Sequence, residues 1–173
     1  MKFGRRRLIV VSAVVLCVAG AGVGGFVGYQ KWRESQRFLP TSMAQQIHFA
    51  VFRPAHTARP ADVKKTLNFQ ASSKFLTYKI QTDDGATLSI TQQATPESFV
   101  DVPLAYDKLI ESLQQYSAFD SVQGKVFLTH PPQLHGSQSA VMNAKGTLMF
   151  IYTTKELSDD AWRALFNSFI INT

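Results

Sequence analysis

The sequence predicts an α+β protein: an N-terminal transmembrane helix followed by an antiparallel sheet with two helices packed on one face. Three observations carry this. An uncharged stretch runs from Leu8 to Tyr29. From Ile47 onward, apolar and polar residues alternate with period two between turn residues, the pattern of half-buried strands. Two segments, opening near Pro103 and Ser158, carry apolar residues at helical spacing instead.

The anchor comes first. Residues 8–29 number twenty-two; at about 1.5 Å each they reach roughly 33 Å, enough for a hydrocarbon core of about 30 Å. Arg5, Arg6 and Arg7 bound the stretch on one side, Lys31 and Arg33 on the other, and Tyr29 and Trp32 sit where interfacial aromatics belong. The heavier basic flank places residues 1–7 in the cytoplasm and the C-terminal part outside the cell membrane, after a polar connector at 30–46. Ala19-Gly20-Ala21 offers a signal-peptidase alternative, but the apolar run continues past it to Val27. A lipoprotein signal is excluded because Cys17 follows Leu16 rather than a small residue. Gly20, Gly24 and Gly28 recur every four residues, a small-residue face through which a membrane helix self-associates or packs on a partner helix.

Charge removes one function class. The chain carries a formal +6, but residues 1–37 hold seven Lys/Arg against one acid, while 38–173 hold eleven of each. The excess therefore flanks the membrane segment, and the remaining domain lacks the basic cluster that nucleic-acid binding needs. The single cysteine, Cys17, allows neither an internal disulfide nor a cysteine metal site.

Residues 47–173 read as one domain. Ile47, Phe49 and Val51 alternate in a first strand ended by Pro54, and a loop with Pro60 leads to a strand at 67–69. Leu76, Tyr78 and Ile80 pair across Asp84-Gly85 with Leu88 and Ile90; one face is apolar and the other polar, so this sheet is expected to be covered on one side. Pro103 opens a helix with Tyr106, Leu109, Ile110, Leu113 and Tyr116 as its stripe. Short strands follow at 119–122 and 126–129 around Gly124, and a hairpin at 140–143 and 147–152 turns on Lys145-Gly146. Its second strand, apolar from Leu148 to Tyr152, belongs at the sheet centre. Ser158 caps the last helix, Asp159 and Asp160 suit the positive end of its dipole, and Trp162, Leu165, Phe166 and Phe169 form its buried stripe. Gly85-x-x-Leu88-x-Ile90 loosely echoes Gly146-Thr147-Leu148-x-x-Ile151, which suggests a duplication.

The runs Phe49-x-Val51-x-x-Pro54, Tyr78-x-Ile80, Gly85-x-x-Leu88-x-Ile90-x-Gln92 and the closing segment from Tyr152 to Phe169 together resemble small bacterial single-pass membrane proteins with an extracytoplasmic α+β domain of unknown function. The resemblance implies an architecture and a location, and no catalytic residues.

No chemistry-bearing motif stands out. Of the four histidines, His48 falls on a strand and His56 in a proline-bounded loop; Pro131-Pro132 denies His130 and His135 the helical spacing that chelates. Ser72-Ser73-Lys74 reads as a turn, and Asp83-Asp84 as another. Phosphate-loop patterns are missing, and no cofactor or metal is expected. The sequence therefore points to a non-enzymatic, membrane-anchored module that binds an extracytoplasmic protein or envelope component. The alternative is a lipid or hydrophobic-ligand binder, similar to the periplasmic lipoprotein carriers whose helices cover a concave sheet.

Overall fold

The computed structural model describes residues 37–55, 60–82, 85–102, 104–131, 138–153 and 155–172. The predicted membrane span, with Gly20, Gly24 and Gly28, lies outside them; among the described residues no helix is long and apolar enough to cross a membrane. The chain divides into two compact units, Met1–Ala44 and Gln45–Thr173. The described part of the first includes a single turn of helix, Thr41–Ala44, where the Met43 and Ala44 main-chain N–H groups donate to Pro40 at 3.0 and 2.9 Å.

Among its described residues the second unit has nine strands: β1 (Val51–Pro54), β2 (Asn68–Gln70), β3 (Phe75–Gln81), β4 (Thr87–Ala94), β5 (Gln115–Asp120), β6 (Lys125–Thr129), β7 (Gln138–Ala144), β8 (Thr147–Thr153) and β9 (Phe169–Asn172). Seven make one antiparallel sheet in the order β2-β3-β4-β8-β7-β6-β5, and β1 pairs with β9 in a separate ribbon. The apolar β8 is the middle strand, as its composition predicts. It turns from β7 through Lys145 and Gly146, both at positive φ (53° and 74°), the conformation a two-residue hairpin needs to follow the strand twist.

The register corrects the expectation that both helices pack on one face. Gln138, Ala140 and Met142 point to one side of β7 and Val141 to the other, since side chains alternate along a strand. Ile110 of the Ala105–Ser112 helix packs on Val141 and Leu148. On the opposite side, Trp162 and Phe166 of the Asp159–Ser168 helix meet Gln138 and Phe119. The helices therefore lie on opposite faces. Chain order is the reason: the β4–β5 connection must cross β8, β7 and β6 to reach the far edge, and it does so over one face. The β8–β9 connection and the β1–β9 ribbon take the other. One-sided coverage holds only in the β3–β4 hairpin, where Leu76, Tyr78, Ile80, Leu88 and Ile90 are buried while Lys79, Gln81 and Thr87 are exposed.

Opposite-face helices also count against a duplication. A two-fold axis relating antiparallel β4 to β8 stands perpendicular to the sheet and would bring both helices to the same side. The sequence echo fails in register as well, because Leu88 and Ile90 share a face whereas Leu148 and Ile151 do not.

Several local expectations shift. The first strand begins at Val51 rather than Ile47, and it ends at Pro54 as expected. Within the loop expected to run past Pro54 and Pro60 to the 67–69 strand, Pro60–Thr66 forms a helix, with proline at the first helical position where no N–H is needed. Thr66 closes it and its Oγ1 accepts from the Lys79 N–H at 2.9 Å, satisfying main chain on β3 where β2 has ended. The Ala105–Ser112 helix stops short of Tyr116, because Gln114 at φ 56° turns the chain into β5. Ser158 caps as predicted, accepting from Ala161 N at 3.2 Å, but Phe169 belongs to β9, a strand with no sequence forecast.

Candidate binding surface

Two buried amides organise the polar interior, and both are occupied structurally. Gln92 projects from β4 toward the overlying β1. Its Oε1 accepts from Phe52 N at 2.8 Å, and its Nε2 donates to Phe52 O at 2.7 Å. The side chain thus imitates a neighbouring peptide unit and fastens β1 to a sheet it does not join. Tyr78 adds a second tie, its hydroxyl donating to Phe52 O at 2.7 Å, and burial pushes its pKa far up. Thr147 adds a third through Ala50 O at 2.6 Å.

Gln138 plays the same part at the other end. Its Oε1 accepts from Leu157 N at 2.8 Å and from Trp162 Nε1 at 3.2 Å, while its Nε2 donates to the Tyr116 hydroxyl at 3.0 Å. This last bond leads to the surface. A β-bulge shifts the β5–β6 register between Gln115 and Ser117, and the unpaired residue is Tyr116. Re-aimed by the bulge, Tyr116 is 43 % exposed, and its ring stacks on that of the exposed His130 with centroids 4.3 Å apart and planes 21° from parallel. Beside it, Ser117 Oγ donates to Asp159 Oδ2 at 3.4 Å. Partial burial, then the nearby Asp159 and Glu156 carboxylates, raise the Tyr116 pKa above its ordinary value, because each disfavours the phenolate. The result is an aromatic shelf with an acidic rim, held from beneath by a buried amide.

A second exposed feature lies on the crossover between β4 and β5. Val100, Val102 and Leu104 are 79, 51 and 65 % exposed. Leu104 also adopts the left-handed backbone, φ 64°, which costs a non-glycine residue about 1–2 kcal/mol. The flanks are pinned: Phe99 and Tyr106 meet at 5.4 Å, and Tyr106 packs edge-on against Phe127 at 5.9 Å. Burial among these rings, tempered by the Asn143 main chain, raises the Tyr106 pKa to about 12.

The residues weighed from sequence mostly stay apart. His48 is exposed ahead of β1, while His56, His135, Asp83 and Asp84 lie outside the described residues. Ser73 and Lys74 form the β2–β3 turn, Lys74 at φ 56°. Among the described residues no group of three His, Cys, Asp or Glu is placed to hold a metal ion. Sequence reasoning missed the shelf because Tyr116 fits helical spacing after Leu113, and because His130 looks like a loop residue until β5 pairs with β6. No family model, curated protein or solved structure matches this chain.

Proposed function

We propose that this chain is a membrane-anchored, extracytoplasmic binding module, non-enzymatic, whose folded unit engages a protein or envelope component. The crest at Val100, Val102 and Leu104 carries the reading. Three exposed apolar side chains between ring-pinned flanks, one of them (Leu104) on strained left-handed backbone, gain nothing for the fold, and such strain collects where a surface does work. Charge agrees: with eleven bases against eleven acids beyond residue 37, the unit suits a neutral apolar contact better than nucleic acid.

A photo-crosslinking side chain at Leu104 in the membrane-bound full chain, with one at Lys79 as control, tests this. A discrete adduct at Leu104 that is missing at Lys79 is expected; identical products at both sites would overturn the proposal. The lipid-carrier alternative fares worse. Phe52, Trp162, Phe166 and Phe169 are fully or almost fully buried, so a ligand between sheet and helix would have to displace them.

The anchor belongs to the same proposal. Gly24→Ile should weaken helix association in a membrane two-hybrid assay by crowding the Gly20, Gly24 and Gly28 face. An unchanged signal would count against self-association or a partner helix at that face.

A further inference from the structure

We propose that the Tyr116–His130 shelf is a subsite for an arginine side chain of the protein partner. This rests on the binding-module reading and names the chemistry of what is bound.

Three observations converge. First, the shelf is preorganised. Gln138, itself buried and bonded to Leu157 and Trp162, fixes the Tyr116 hydroxyl, so the exposed rings lose little freedom on binding. Second, the rim matches a cation. Asp159 is exposed and accepts from Ser117, the residue next to Tyr116, at 3.4 Å, and the exposed Glu156 lies three residues before it, just ahead of the Asp159–Ser168 helix. Third, the same strand and helix already hold a guanidinium this way: Arg163 Cζ sits 4.7 Å above the Phe119 ring, three residues along from Tyr116. Arg163, four residues beyond Asp159 on the same helix, is itself placed over Phe119.

Guanidinium suits the shelf better than ammonium. It is planar and weakly hydrated, so it stacks on a ring face while its edge donates to a carboxylate in a two-bond fork. A point-like ammonium can satisfy the carboxylates but gains less from the stack.

The test is an NMR titration of the full chain, ring-labelled at His and Tyr, in zwitterionic lipid nanodiscs. The probes are N-acetyl-arginine amide and its neutral planar analogue N-acetyl-citrulline amide. Saturable shifts of the Tyr116 and His130 signals by the arginine amide are expected, with citrulline about tenfold weaker. The double variant Glu156→Gln with Asp159→Gln keeps the rings and their Gln138 support, and should weaken the arginine response by about tenfold. Tyr116→Leu should abolish it. Equal response to both probes, an undiminished response in the double variant, or no shift in the parent chain would each overturn the subsite. Since the probes report on the shelf alone, a failed titration beside a persisting Leu104 adduct removes the arginine subsite and leaves the module reading standing.

Discussion

Gln92→Ala is expected to lower the stability of the folded unit by about 3–5 kcal/mol and to release β1 from the sheet. The substitution strips two partners at once from the Phe52 main chain, its N–H and its carbonyl, both at a buried residue. Each buried polar group left unsatisfied costs about 1–3 kcal/mol, and the missing side-chain volume adds a cavity contribution. Tyr78 still donates to Phe52 O, so the carbonyl keeps one tie while the N–H keeps none from that side. Gln92→Met separates the two contributions, because it fills the space without making the bonds. Denaturant titration of the full chain in micelles should place Met close to Ala, and hydrogen exchange at Val51–Pro54 should accelerate in both variants. A loss under about 1 kcal/mol with unchanged protection at β1 would show that the amide is not the fastening it looks like.

Trp162→Ala should be as damaging, at about 3–5 kcal/mol, the usual range for emptying a buried aromatic site. Trp162 is wholly buried between the Asp159–Ser168 helix and the sheet face bearing Gln138, with Phe166 beside it at 6.4 Å. Trp162→Phe keeps most of the apolar contact but removes the indole N–H and part of the ring volume, so its cost should fall to about 1–3 kcal/mol. Its second effect is the informative one. Gln138 Oε1 would retain only Leu157 N, and the amide that orients Tyr116 would gain freedom. The Tyr116 and His130 ring signals should broaden or move in Trp162→Phe although the unit remains folded. Unchanged ring signals would mean that the bulge alone sets the shelf.

Much of the architecture was legible along the chain because its causes are local. The β7–β8 hairpin followed from an apolar run, a Lys-Gly pair able to take positive φ, and alternation on either side. Ser158 with two acids after it marked the last helix by capping chemistry alone. The errors have physical sources too. Ile47, Phe49 and Val51 alternate correctly for a strand, but among the described residues the pairing with β9 starts at Val51. Tyr116 satisfied a helical stripe on spacing, and a positive φ at Gln114 overrode it. Of the candidate surface almost nothing could be read in advance: Tyr116 and His130 meet only through β-pairing, and Gln138 reaches both Trp162 and Tyr116 across more than twenty residues each way.

Local chemistry along the chain suffices for the hairpins, the central place of β8 and the capped final helix. Each follows from periodicity, turn chemistry or length within a short window. Long-range packing sets which face each helix covers, pairs β1 with β9 in their own ribbon, and makes Gln92 and Gln138 struts rather than surface amides. Those outcomes depend on strand order and on contacts far apart in the chain, from Gln138 with Tyr116, 22 residues apart, to Phe52 with Gln92, 40 apart. A helix that must cross three strands lies on whichever face its connection allows, and an amphipathic stripe shows that a face is buried without saying against which side of the sheet.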